Sequence, residues 1–283
     1  PLNDPRLKGN YFFSDGKSSI IKKGVFTSCK KNDDCPPWQI KAKEIKHDKK
    51  KKIISYKNAW LEIYDQPILY FPKFFHPDPS VNRQSGLLQP HLNDSDILGS
   101  SLQIPYFYVV SEDKDFTFTP NIFDSNIFML QTEYRQKTEN TSLIADFGHT
   151  SGYKSTLSQK KNSISHLFGK FTADLKLQKF NLSEFKMQVQ KVTNDTYLKI
   201  FDGNLMNSSL KPSNKSTMTS NMSIDLNHNK FDFSANITSY EDLSGKNSDR
   251  YQYILPSYDF SKNLFPNFNH GTINFTSSGS NNL

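Results

Sequence analysis

Phe231-Asp232-Phe233-Ser234-Ala235-Asn236-Ile237-Thr238 changes polarity at every step. Successive side chains of a strand point to opposite faces, so the run has one apolar and one polar face and reads as a β-strand. The same alternation recurs upstream. Met222, Ile224 and Leu226 oppose Ser223, Asp225 and Asn227. Phe185, Met187 and Val189 oppose Lys186, Gln188 and Gln190, and Phe171, Ala173, Leu175 and Leu177 oppose Thr172, Asp174, Lys176 and Gln178. Phe128, Leu130, Thr132 and Tyr134 oppose Met129, Gln131, Glu133 and Arg135. Each segment is near the roughly 9–11 residues that a tilted strand needs to cross a bilayer. Polar, turn-forming stretches such as 203–216 and 241–250 separate them. A soluble sandwich with one solvated face alternates in the same way. The succession of long segments, the Phe and Tyr at several of their ends and the lack of helical stretches favour a transmembrane β-barrel with lipid on its apolar side and a charged, wet lumen.

Composition agrees with that choice. The chain has 283 residues, enough for one large domain or two smaller ones. Mean hydropathy is −0.66, and no apolar run approaches the roughly 20 residues of a membrane helix. Helical spans are excluded, whereas barrel strands remain. An aromatic content of 13% argues against disorder. The chain opens at Pro1 without an initiator Met and reads as an interior part of a longer protein, so nothing follows about a signal peptide.

The net charge of +7 is uneven: residues 1–60 hold 15 Lys/Arg against 6 Asp/Glu, and the remainder is slightly acidic. Within the basic part, His47-Asp48-Lys49-Lys50-Lys51-Lys52 reads either as a solvated hairpin turn or as a contact for an anionic partner such as lipid phosphates. No recognition helix or binding module is present, so nucleic acid is not an expected partner.

Residues 1–80 carry shorter strand signals. Trp38, Ile40 and Ala42 alternate with Gln39, Lys41 and Lys43, and Ala59, Leu61 and Ile63 alternate with Trp60, Glu62 and Tyr64. Short antiparallel strands of this kind suit a jelly roll or an open sandwich. Pro72, Pro77, Pro79 and Pro90 put a boundary near residue 80, giving a β domain over 1–80 and a barrel portion over 81–283.

Past that boundary come Arg83-Gln84-Ser85-Gly86-Leu87-Leu88-Gln89-Pro90, Ile104-Pro105-Tyr106-Phe107-Tyr108 and Asp115-Phe116-Thr117-Phe118-Thr119-Pro120. Pro105 and Pro120 sit in strand-like segments. Proline has no N–H for a ladder, so each marks either weakened pairing or simply the end of a strand.

Signals for catalysis are lacking. Cys29 and Cys35 are too few and wrongly spaced for a zinc site, and either bridge each other or pair outside this stretch. The seven histidines show no i, i+4 pairing, and there is no phosphate loop or nucleophile elbow. Ser-x-x-Lys at Ser151/Lys154 and Ser208/Lys211 is chance in a Ser- and Lys-rich chain. No enzyme activity, cofactor or metal is expected.

From about Gly24 to Gln136 the chain resembles the LPS-assembly protein LptD family, also called organic solvent tolerance proteins. The residues that carry the likeness begin with Phe26-Thr27-Ser28-Cys29, Trp38, Glu44, His47 and Asp48. Asn58-Ala59 and Pro67-Ile68-Leu69-Tyr70-Phe71-Pro72 follow, then Arg83, Ser85, Gly86, Leu88 and Pro90, then Ile104-Pro105-Tyr106, Asp115 to Pro120, and Glu133-Tyr134-Arg135. The resemblance implies an all-β fold, in which the end of a periplasmic β-jelly roll leads into the first strands of a large antiparallel outer-membrane barrel. It implies lipopolysaccharide as cargo, an LptE-type plug lipoprotein and an LptA-type periplasmic bridge protein as partners, and outer-membrane lipid around the barrel. Acyl chains would lie against Trp38, Ile40, Ala42, Ala59, Leu61 and Ile63, and a lateral gate would form at Pro105 and Pro120. Cys29 matches a family cysteine bonded to a partner near the far end of the barrel. Cys35 departs from the family pattern and leaves a local Cys29–Cys35 bridge as the alternative. A passive porin or solute-uptake barrel is the other reading of the strands.

Overall fold

The computed structural model describes residues 6–27, 38–78, 80–81, 83–155, 158–205, 208–244, 249–265 and 273–283. The chain divides into two units. The first is Pro1–Pro90 with Ile104–Val109, and the second is His91–Gln103 with Val110–Leu283.

The first unit contains β1 (Arg6–Lys8), β2 (Tyr11–Ser14), β3 (Ser18–Thr27), β4 (Trp38–Asp48), β5 (Ile53–Ile63), β6 (Gln66–Pro77) and β7 (Gly86–Leu87). Its main sheet is antiparallel in the order β1-β3-β4-β5-β6, with β2 also on β3. The β4–β5 connection is the lysine run. Asp48 Oδ1 accepts the N–H groups of Lys50 and Lys51 at 3.1 and 2.9 Å, so a carboxylate closes a turn whose four lysines are exposed. An Asp accepting its own following amides is ordinary turn chemistry.

A crease crosses this sheet. The paired positions run Lys22↔Glu44↔Lys57↔Lys73 and then Gly24↔Ala42↔Ala59↔Phe71, skipping Lys23, Lys43, Asn58 and Pro72. Lys23 and Asn58 have φ of +50° and +49°. Pro72 has no donor to give. On either side of the skipped row the inward residues follow period two, but across it their spacing is three: Ile21/Gly24, Ala42/Ile45, Tyr56/Ala59 and Phe71/Phe74. One extra residue per strand, in the same row, keeps one face apolar from end to end.

The second unit contains β8 (His91–Ser95), β9 (Gly99–Gln103), most of its residues after Val110 in β11 (Lys114–Phe123), β12 (Phe128–Lys137), β13 (Thr141–Ser155), β14 (Ser158–Asp174), β15 (Leu182–Val192), β16 (Thr217–His228), β17 (Phe231–Asp242), β18 (Tyr251–Phe265) and β19 (Ile273–Asn282). β10 (Tyr106–Ser111) begins in the first unit and leads into β11 through Glu112-Asp113. From β11 to β19 each strand pairs antiparallel with the next, β9 adds to the end of β11, and β8 adds to β9. This meander needs only short connections. The alternation expected from sequence is present. Phe128, Leu130, Phe147, Leu167, Met222 and Ile237 are exposed on one face. The opposite face carries cross-strand polar pairs, including Arg135 to Asp115 at 2.8 Å and Lys186 to Asp225 at 3.2 Å.

Between β15 and β16 the chain forms α1 (Tyr197–Ile200) and a 3-10 turn over Asp202–Leu205. At that end of the sheet the polar face becomes apolar. Tyr197, Leu198, Phe201 and Leu205 are fully buried there against Phe123, Met129, Ile164, Phe168, Val192 and Met218. The fold is thus antiparallel β throughout, with this loop as its one helical feature among the described residues.

Candidate functional site

The six residues expected to line an acyl groove fall on the inward face of β4 and β5 as three directly opposed pairs: Trp38↔Ile63, Ile40↔Leu61 and Ala42↔Ala59. All six are buried. The face extends beyond them because the crease brings in Ile45, Ile54, Tyr56, Phe71 and Phe74. Phe26 lies 6.2 Å from Trp38, and Tyr56 stacks on Phe74 at 4.4 Å with the rings nearly parallel. Gly24 is needed in this row, because a Cβ there would press into the Ile45 side chain.

A polar clasp closes one end of the face. Tyr56 Oη and His76 Nε2 are 2.6 Å apart, and His76 Nδ1 is 2.6 Å from the Pro77 carbonyl oxygen, so the ring satisfies both neighbours. Burial pushes His76 down, against the pull of the Pro77 carbonyl, and pushes the Tyr56 phenol well up. Next to them His47 Nε2 is 2.5 Å from Asp78 Oδ2. Burial would raise the Asp78 carboxyl, but hydrogen bonds from Ser80 and the nearby His47 hold it below its usual value.

The segment that opens with Arg83 is placed against the start of β10. Gly86 and Leu87 pair with Phe107 and Tyr106. Val109 N–H donates to Ser85 Oγ at 2.8 Å, and Leu88 N–H donates to the Pro105 carbonyl at 2.8 Å. Gly86 packs so closely on Pro77 that a side chain would collide with that ring and with the His76 backbone. Pro105 occupies the two-residue break between β9 and β10, and is buried. Pro120 lies inside β11, opposite Leu130 of β12. The next residues, Asn121 to Phe123, pair with Gln103 to Ser101 of β9. Each proline therefore sits where a strand ends or where a neighbouring strand begins. Cys29 and Cys35 lie outside the described residues.

Sequence reading missed the polar machinery under the tucked loop. Asn204, inside a stretch read as a plain polar turn, is 2% exposed. Its side-chain amide donates to Ser101 Oγ at 3.0 Å and to Asn121 Oδ1 at 3.2 Å, and its Oδ1 accepts from Asn93 at 3.3 Å. Its carbonyl accepts from Gln103 Nε2 at 3.1 Å. One loop residue therefore fastens β8, β9 and β11. A second group anchors the other flank. Asp146 accepts from Gln131 Nε2 at 2.9 Å and from Ser208 Oγ, and stands 3.2 Å from His166 Nε2, while His166 Nδ1 and Tyr197 Oη are 2.7 Å apart. Gly148 leaves room for the His166 ring. A signal was available: Tyr197, Leu198, Ile200 and Phe201 keep helical spacing inside a connection far longer than a hairpin needs.

No family model matches the chain. Among curated proteins it is similar to an LPS-assembly protein LptD of Polaromonas sp., 32% identical over 126 residues, which is 44% of this chain and 15% of that protein. It is 34% identical over 125 residues to an LPS-assembly protein LptD of Pseudoalteromonas translucida, covering 44% of this chain and 16% of that one. The match to an LPS-assembly protein LptD of Idiomarina loihiensis is longer, 24% identical over 184 residues, covering 64% and 23%. The matched part thus spans less than a quarter of these relatives' length. Among solved structures, Pseudomonas aeruginosa OpdQ aligns over 96% of this chain and 75% of its own at 9% identity and a TM-score of 0.32, too low to carry an argument. In sequence, the chain is a relative of the LPS-assembly proteins named LptD.

Proposed function

We propose that the chain is part of an outer-membrane protein that receives lipopolysaccharide and releases it into the outer leaflet. The observation that carries this reading is the sequence kinship with LptD proteins over 44–64% of the chain. In this reading the first unit is the end of a periplasmic β-jelly roll, and its inward face holds acyl chains along Trp38, Ile40, Ala42, Ala59, Leu61 and Ile63. Such a face suits hydrocarbon, because transfer of alkyl surface from water is favourable and needs no directed contact. The second unit is the first part of a barrel wall, with Phe128, Leu130 and Phe147 toward lipid and the Asp115–Arg135 row toward a wet lumen. Pro105 and Pro120 mark the lateral gate, where absent donors weaken pairing and let the lipid part leave sideways. An LptE-type lipoprotein plugs the lumen, an LptA-type protein delivers cargo, and Cys29 pairs with a cysteine elsewhere in the longer chain or with Cys35. The protein moves its cargo without covalent chemistry.

Photo-crosslinking in cells tests the reading. A photoreactive residue at Ile40, Ala42, Ala59 or Leu61 of the longer protein should yield adducts with lipopolysaccharide. Correctly inserted protein that gives none at any of the four positions would instead be a passive porin.

A further inference from the structure

The first unit has a second face, and it is not an ordinary solvated one. The residues opposite the apolar face form rows that the register defines. One row is Tyr11↔Lys22↔Glu44↔Lys57↔Lys73, and the next outward row is Phe13↔Ile20↔Lys46↔Ser55↔Phe75. On the other side of the crease Lys41↔Trp60↔Tyr70 forms a third row. Directly opposed residues share a face, so these side chains lie together.

The face combines exposed aromatics with lysines. Tyr11 is 70% exposed, Phe13 64%, and Trp60 and Tyr70 42% each. Trp60 and Tyr70 lean on one another at 5.1 Å, and the Tyr70 hydroxyl donates to Asn58 at 2.8 Å. Acids on this face are engaged: Glu44 by Lys57 at 2.6 Å, Glu62 by Lys41 at 3.5 Å, and Asp48 by the Lys50 and Lys51 amides. Lys22, Lys43, Lys46 and Lys73 form no ion pair among the described residues, and all four are exposed. Water does not require five aromatic rings on a solvated sheet, and a patch of this kind marks a contact surface. The occupant must be anionic, to match the unpaired lysines. It must also accept rings that are apolar in the body and polar at the tip, as the headgroup zone of a bilayer does for Trp and Tyr. Long lysine stems lie along such a boundary with their ammonium groups at the phosphates.

We propose that this face of the first unit rests on the anionic phospholipid surface of a membrane. The inward face handles apolar cargo in the functional reading above, but the outward face is set by its own residues and stands or falls separately.

The chain contains two tryptophans, and Trp38 is buried, so Trp60 reports on this face. The chain reconstituted in nanodiscs carrying a quencher at headgroup depth should show Trp60 quenching, isolated as the difference between the unaltered chain and Trp60→Phe. Quenching should be strong with phosphatidylglycerol and fall roughly twofold or more with neutral lipid alone. It should fall similarly in the variant Lys22→Gln/Lys43→Gln/Lys46→Gln/Lys73→Gln. Raising salt from about 0.1 to about 1 M, which shortens the Debye length from about 10 Å to about 3 Å, should have the same effect on the unaltered chain and needs no refolded variant. Trp60 quenching equal in neutral and anionic discs, or absent from both, would overturn the proposal. Shielding of Trp60 that grows with protein concentration while lipid quenching stays absent would overturn it too, in favour of a second copy.

Discussion

His76 is buried as a neutral ring between Phe26, 4.8 Å away, and Tyr56. Since burial lowers its pKa in the folded chain, the unfolded chain takes up the proton first as pH falls through about 6.5. Stability from this residue is complete above that pH and is lost as pH drops below it. Glu44, whose carboxyl is held down by the Lys57 hydrogen bond, and Asp78 act in a lower window, because their stabilisation disappears only as pH falls through their own depressed values. Urea unfolding of the first unit should therefore weaken between about pH 7.5 and about pH 5.5, and His76→Gln should flatten that slope even though it costs stability at the higher pH. An unchanged slope in that variant would assign the effect to a group other than His76. A second residue-scale expectation concerns Asn204. Removing an amide that serves Ser101, Asn121 and Asn93 strands buried partners, so Asn204→Ala should destabilise by about 2 kcal/mol or more, and protease should cut near 93–103 first. Gly148→Ala should also destabilise, by about 1–3 kcal/mol, because its methyl group meets His166 and Tyr197. Unfolding curves that overlay the unaltered protein would refute both.

At the scale of elements, the long strands were legible and the way they end was not. Phe231–Thr238 has a period that only a strand can use, and its pairing with β16 and β18 follows. Met129 illustrates the limit. It was read among the polar partners of Phe128 and Leu130, as strict alternation requires, yet it is a fully buried apolar residue beneath the tucked loop. Period two names a face but not what covers it, and the cover here comes from residues about 70 positions downstream. In the first unit the two-residue polar steps Lys22-Lys23 and Lys57-Asn58 interrupt period two. They are steps of one crease, visible only when the strands are set side by side. Two element-scale tests follow. Phe201→Ala opens a cavity at the centre of the loop cluster and should cost about 3–5 kcal/mol, read as lowered resistance to denaturant in detergent. Pro120→Ala would return a backbone donor to β11, and Pro105→Ala would return one to the break between β9 and β10. If these prolines form a gate, the longer protein should then export less lipopolysaccharide, while wild-type detergent resistance and surface lipopolysaccharide would reduce them to strand ends.

For the whole molecule, the uneven charge has a structural home. Among the described residues, exposed lysines gather at the Lys49–Lys52 turn and on the outward rows of the first sheet, while the second unit holds acid–base pairs such as Lys191 and Glu241 at 2.7 Å. Placement of the six acyl-groove candidates on one face was readable from their alternation. The extent of that face, from Phe26 to Phe74, was not, because it depends on the crease.

The crease also fixes what kinds of change the chain can survive. A substitution at Lys43 alters only an exposed side chain. Deleting Lys43 turns half of β4 over, so that either Trp38, Ile40 and Ala42 or Ile45 would point into water. Neighbouring strands could not correct the error, since each has its own extra residue in the same row. Removing Lys23, Lys43, Asn58 and Pro72 together would restore an unbroken alternation in all four strands. The sheet is thus forgiving of spelling but strict about length, and a lone deletion should be rescued only by matching deletions in the adjoining strands.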